Sequence, residues 1–192
     1  MVIDVYNGKW GVPAKCGSRY FSKTVLLLNS HININYRVPF EKLNKLGLEV
    51  IIIRNPLSHL ESALQTEVME CWDDSDKILK ILLKFSDIQF GGTHYHPHFC
   101  EKIYYIWYNS ELRIVDLSNL SGFMEEILKT IPYNQNEYDF HTEPNYKSKK
   151  EVWDKCVDLY PELMDKLIRY TQSDMKYYNA LLNKDKSLIK II

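Results

Sequence analysis

The chain has 192 residues, 45% of them hydrophobic and 26% charged, with a formal net charge of -1. This length suits one ordinary domain that buries roughly two-thirds of its unfolded surface, and the composition excludes a disordered or fibrous chain. So nearly neutral a balance supplies no global field to draw the protein onto nucleic acid or an anionic membrane, so any anion site has to be local.

Residues 8–13 are predicted to form a short strand that runs into a loop over 13–19, followed by a helical turn over 18–23. Val25 to Leu28 is an apolar run of strand length ending in Asn29, Ser30 and His31. Pro39 can open a helix, Phe40, Leu43 and Leu46 share one face of it, and Gly47 stops it. Residues 48–53 (LEVIII) form the clearest strand, and their unbroken apolarity implies burial on both faces, as in a parallel sheet. Strand, helix and strand in this order predict a βαβ unit and an α/β fold. Pro56 starts the next helix, with Leu57, Leu60, Ala63 and Leu64 turned inward. Residues 75–85 read as an amphipathic helix capped by Ser75, with Ile78, Leu79, Leu82 and Leu83 as its stripe. A turn at Phe90 to Thr93 is followed by predicted strands over 103–108 (IYYIWY) and Leu112 to Val115, then a short helix over 120–130. Residues 133–150 are polar and aperiodic, a long loop, and 151–183 are two helical stretches interrupted near Pro161. With no repeat and no linker, residues 1–192 are expected to form a single domain.

The cysteines Cys16, Cys71, Cys100 and Cys156 are widely spaced and form no CxxC pair, which suits free thiols in a reducing compartment. Asp4, Asn7 and Lys9 interrupt any leader-like apolar run, and no stretch approaches the roughly 20 residues that span a bilayer. A cytoplasmic protein is expected, without a membrane or nucleic-acid partner.

Two segments carry chemistry. In the first, Lys15, Gly17 and Ser18 stand where a strand gives way to a loop: glycine lets backbone amides approach an anion closely, serine adds a donor, and lysine adds charge. In the second, Arg54 directly follows the apolar strand, and Ser62 lies eight residues later on a helix. The planar fork of arginine suits bidentate phosphate contact. Ligands of open α/β sheets bind outside the carboxyl ends of the strands, so the two segments read as two anion clamps for a ligand with phosphate at both ends.

Residues 13–19 (Pro-Ala-Lys-Cys-Gly-Ser-Arg) and 54–62 (Arg-Asn-Pro-Leu-Ser-His-Leu-Glu-Ser) together resemble the two nucleotide motifs of sulfotransferases that use 3'-phosphoadenosine 5'-phosphosulfate, particularly the carbohydrate-acting branch. The resemblance implies a P-loop-like three-layer sandwich around a central, mostly parallel sheet, and no catalytic metal. It implies that Lys15, Cys16, Gly17, Ser18 and Arg19 form the loop at the 5' end, and that Arg54 and Ser62 hold the 3'-phosphate. Residues 141–150, with Lys147 and Lys149, resemble the basic loop that closes over the nucleotide, and 170–179 resemble the family's C-terminal helix with its Asp-x-x-x-Tyr. Ala14 is an extra residue by the family pattern, Arg19 replaces a hydroxyl residue and His59 replaces an arginine, which leaves a nonstandard loop, a reduced acceptor pocket or an inactive relative open.

Sulfuryl transfer to a hydroxyl needs a base, and the family often places its catalytic histidine at a strand end a little over twenty residues before the arginine. His31, 23 residues before Arg54, fits that place, and an imidazole titrates in the right range. Lys15 would neutralise the charge that develops on the leaving group. His94, His96 and His98 alternate, which on a strand would put all three on one face; an acceptor-side role, for His94 and His96, or a structural one is preferred to a metal site. Tyr105, beside Tyr104, Trp107 and Tyr108, could line a sugar or aryl-alcohol site, although core and edge packing of one strand is the preferred reading of this run. The alternatives are a P-loop nucleotide kinase, although the Walker consensus GxxxxGK[ST] is absent, and a nucleotide-binding or interaction protein without catalysis.

Overall fold

The computed structural model describes residues 2–5, 8–12, 15–16, 34–35, 47–88, 94–128 and 147–188. These divide between two compact units, each discontinuous in sequence: Met1–Arg54, Ile103–Phe140 and Ala180–Ile192 in the first, Asn55–Lys102 and His141–Asn179 in the second.

The first unit holds the sheet. Its strands are β1 (Val2–Val5), β2 (Gly8–Gly11), β3 (Ile34–Asn35), β4 (Val50–Ile53) and β5 (Arg113–Asp116), in the order β3-β1-β2-β4-β5 among the described residues. β1 runs antiparallel to both β2 and β3, whereas β2, β4 and β5 are mutually parallel. The fold is therefore α/β, with a parallel half and an antiparallel margin. Ile51, Ile52 and Ile53 are fully buried, the two-faced burial that the apolar run predicts. β1 lies outside the predicted elements, because Asp4 interrupts the apolar pattern that marks a strand. Gly11 permits a close approach: a Cβ there would stand 3.1 Å from side-chain carbons of both Ile51 and Leu48. Gly47, just before β4, takes φ +60 in a turn, a conformation that glycine adopts at little cost.

The helices are α1 (Pro56–Met69), α2 (Ser75–Phe85), α3 (Phe99–Tyr108), α4 (Leu120–Leu128), α5 (Lys149–Leu159) and α6 (Pro161–Asn183), with a 3₁₀ turn at Leu117–Asn119. Asn55 caps α1, its Oδ1 accepting from the amides of Leu57 and Ser58, with Pro56 as the first helical residue. The cap of α2 is Asp74 rather than Ser75, with Oδ1 accepting from the Lys77 amide at 3.0 Å. Its buried stripe is Ile78, Leu82 and Phe85, while Leu83 is 50% exposed.

Residues 103–108 are the larger part of α3, not a strand. The six aromatic and β-branched residues suit a strand when read alone, but the buried set Phe99, Cys100, Ile103, Tyr104 and Trp107 recurs at helical spacing. The predicted loop also ends earlier than expected: Ser148 caps α5 in a reciprocal capping box with Glu151, so Lys149 and Lys150 are helical. The break at Pro161 falls between α5 and α6, as predicted. The predicted turn, strand and helix over 18–46 lie outside the described residues.

The second unit has its own core. Leu60, Ala63, Leu64 and Val68 of α1 meet Ile78, Leu82 and Phe85 of α2, Val152 and Cys156 of α5, and Met164 and Leu167 of α6. Among the described residues no helix is long and apolar enough to cross a membrane.

Candidate functional site

In a parallel pair the carboxyl ends of neighbouring strands lie side by side, and the register Ile53 to Asp116 brings the ends of β4 and β5 together. Arg54 follows Ile53 directly, and its Nη1 donates to the Lys15 carbonyl at 2.6 Å. Arg54 and Lys15, 39 residues apart in sequence, therefore meet in the first unit. Lys15 itself takes φ 62, left-handed backbone that costs a side-chain-bearing residue on the order of 1 kcal/mol. That turn presents the Lys15 carbonyl to the guanidinium.

Cys16, next in the turn, is fully buried. Burial pushes its thiol up to about 12, the Arg54 guanidinium works against this and the Asp116 carboxylate reinforces it, so all three groups share one electrostatic neighbourhood. Asp116 is itself 6% exposed, and its Oδ1 accepts from the Ser118 amide at 2.7 Å and from the Ser118 hydroxyl. Asp116 is a site residue that the motif reading missed. The signal was present: an aspartate closing the strand over 112–115, followed by Ser118 two residues later, a turn-initiating pattern.

A cavity of about 780 Å³ flanks β5 in the same unit. Its wall includes β5, the 3₁₀ turn, Gly122, Phe123 and Glu126 of α4, and Lys184. Arg113 and Glu126, both on its wall, form a two-point ion pair at 3.1 and 2.7 Å, with the Arg113 guanidinium 4.9 Å over the Phe123 ring.

His31, Gly17, Ser18 and Arg19 lie outside the described residues. Ser62 sits on α1, its carbonyl accepting from Thr66 Oγ1 at 3.1 Å. His59, where the sulfotransferase motif has an arginine, is 4% exposed and packs edge-on against Tyr95 and Phe99 at 5.8 and 5.4 Å; it is part of a hydrophobic core. Lys147 lies 5.5 Å over the Trp72 ring and 3.6 Å from Glu151 Oε1, while its carbonyl accepts from Gln65 Nε2. Lys149 is the first residue of α5.

The three alternating histidines do not share a strand face. Each meets a different group: His94 Nδ1 lies 2.9 Å from Glu67 Oε1, Lys102 Nζ donates to His96 Nε2 at 2.7 Å, and His98 Nδ1 lies 2.8 Å from Glu101 Oε2. The last contact is an ion-pair approach without hydrogen-bond geometry. Left-handed backbone at His98 (φ 59) leads into α3. Tyr105 is 48% exposed on the helix, not on a strand. Among the described residues, no group of three or more His, Cys, Asp or Glu could hold a metal ion.

Asp174, in the segment that resembles the C-terminal helix of the family, accepts from the amides of Cys100 and Glu101 at 2.8 Å each and so caps α3. It is 3% exposed, and burial raises its carboxyl to about 6 against the pull of those two amides and of His98. Tyr177 donates to Glu101 Oε1 at 2.9 Å. Comparison with protein-family models, characterised proteins and solved structures finds no match.

Proposed function

We propose that the chain is a sulfotransferase of P-loop-like, three-layer architecture that transfers a sulfuryl group from 3'-phosphoadenosine 5'-phosphosulfate to a hydroxyl, preferably on a carbohydrate. One observation carries this reading: Arg54, at the end of a buried parallel strand, hydrogen-bonds the backbone of the Lys15 turn. One residue from each of the segments that resemble the 3'-phosphate and 5'-phosphosulfate motifs thus stands at one strand end, which supports a nucleotide held by both.

In the proposed reaction the acceptor oxygen attacks sulfur in line with the bridging oxygen of the 5'-phosphosulfate. A new O–S bond forms, the S–O bond to the phosphate breaks, and its electron pair leaves on adenosine 3',5'-bisphosphate. His31 takes the hydroxyl proton, and Lys15 offsets the charge growing on the departing oxygen. Arg54 holds the 3'-phosphate. No metal ion takes part.

Transfer of labelled sulfate to a panel of sugars, phenols and alcohols, with and without EDTA, tests this function. Metal-independent transfer by the wild type, lost in Lys15→Ala and in His31→Ala, is expected. Equal transfer by both variants would remove their assigned roles, and no sulfate transfer together with Mg²⁺-dependent phosphate transfer from labelled ATP would favour a kinase.

A further inference from the structure

We propose that Cys71 and Cys156 of the second unit form a reversible disulfide when the protein meets hydrogen peroxide, tying the end of α1 to α5. This modification site is independent of the sulfuryl-transfer function proposed above.

Pairing is the first support. The chain has four cysteines, and all four are free thiols. Cys16 lies in the first unit, and the Cys100 side chain hydrogen-bonds the Asp174 carboxylate. Cys71 and Cys156 share one core instead: Cys156 is fully buried within it, and Cys71 packs against it. Their chain neighbours touch, since Lys155 Nζ donates to the Trp72 carbonyl and stands 4.2 Å over the Trp72 ring. Burial pushes the Cys156 thiol up to about 12, and the Cys71 thiolate adds to that rise. The charge of one sulfur is thus felt at the other.

Access is the second. Cys71 is half-buried and lies on the wall of an open cavity of about 470 Å³ in the same unit. A small oxidant can reach its sulfur, while Cys156 stays sealed in the core.

Backbone freedom is the third. A disulfide asks for two Cα atoms within roughly 7 Å. Cys71 stands in the turn after α1, beyond the cap at Glu70, so its backbone can adjust without unwinding the helix. Its thiol donates to the Glu67 carbonyl at 3.6 Å, a weak bond that is readily given up.

In the first step the Cys71 thiolate attacks one peroxide oxygen. An S–O bond forms, the O–O bond breaks, and the departing hydroxide takes up a proton as water. The Cys156 sulfur then attacks the sulfenic acid so formed: an S–S bond forms, the S–O bond breaks, and hydroxide leaves with the Cys156 proton as a second water. Two thiols lose two electrons and the peroxide gains them; a thiol reductant reverses the bridge. Because burial raises both thiols, thiolate is scarce near neutrality and the bridge forms faster as pH rises.

The test is treatment of the native protein with hydrogen peroxide at pH 8, alkylation of the remaining thiols, and peptide mapping by mass spectrometry without reductant. The expected product is a monomer two hydrogens lighter, with its Cys71 and Cys156 peptides joined and then separated by dithiothreitol. That pairing should exceed every other at least about tenfold. In Cys156→Ser, Cys71 should stop at the sulfenic acid, which dimedone traps, and Cys71→Ser should form no disulfide. Unmodified Cys71, or Cys71 carried to sulfinic acid without a joined peptide, overturns the proposal, as does Cys71 paired with Cys16, with Cys100 or with a second chain. Should a serine variant fail to fold, the wild-type map alone decides the pairing.

Discussion

Replacing Asp174 by Asn should change how stability responds to pH. Asp174 caps α3 through two backbone amides while it is 3% exposed. Its carboxyl rises from the ordinary 3.8 to about 6, with burial as the leading cause. Because the folded value lies above the unfolded one, the protonated form favours folding. The stability it contributes is complete below pH 3.8 and is lost as pH climbs through about 6. A rise of roughly two units at 1.36 kcal/mol each amounts to about 3 kcal/mol. In Asp174→Asn that decline disappears, since the amide does not titrate. The variant loses one of the two cap bonds, because an amide nitrogen cannot accept, at a cost of about 1–2 kcal/mol. The variant should thus be the less stable protein at pH 4 and slightly the more stable at pH 8, with the two curves crossing between. Urea unfolding followed by tryptophan fluorescence at pH 4, 5, 6, 7 and 8 measures this, and titrations common to both proteins cancel in the difference. Parallel curves would refute the reasoning and show that Asp174 is ionised without strain in its site.

At the Lys15 turn, Lys15→Gly should be about 1 kcal/mol more stable than Lys15→Ala, because alanine keeps the cost of left-handed backbone and glycine does not; equal thermal midpoints would contradict the φ of 62. Arg54→Ala should cost about 2 kcal/mol through the lost charged hydrogen bond to the Lys15 carbonyl, with urea midpoints as the measure. Of the four cysteines, Cys71 is half-buried while Cys16, Cys100 and Cys156 are buried, with Cys16 and Cys156 each pushed up to about 12 by burial. Native protein at pH 8 should accordingly release one equivalent of thionitrobenzoate quickly from Ellman's reagent, a signal absent in Cys71→Ser, while Cys16 and Cys100 react only on unfolding.

What could be read directly from sequence was what local chemistry determines. The apolar run ending at Ile53, the helix start at Pro56 and the interruption at Pro161 each carry their signal within a few residues, and each stands in the structure as expected. Elements governed by distant partners were harder to see. The segment 103–108 looks like a strand until Phe99 and Cys100 are counted with it, and α3 begins under a cap supplied by Asp174, 74 residues away from Cys100. The alternation of His94, His96 and His98 implies one face only if the backbone is extended, and the left-handed residue at His98 breaks that premise. His59 keeps the motif position of a cation but lies in an aromatic core. The Arg54 to Lys15 contact could be anticipated only as a neighbourhood, because a parallel sheet places strand ends together without stating which atom bonds to which.

The central claim is that Lys15 and Arg54 grip the two phosphate groups of one adenine nucleotide. Calorimetric titration of adenosine 3',5'-bisphosphate, 5'-AMP and 3'-AMP into wild type, Lys15→Ala and Arg54→Lys measures it most directly. The bisphosphate should bind the wild type more tightly than either monophosphate, Lys15→Ala should lose chiefly the 5'-phosphate contribution, and Arg54→Lys should lose the 3' contribution. Wild-type protein that binds none of the three, or binds 5'-AMP as tightly as the bisphosphate, would contradict it.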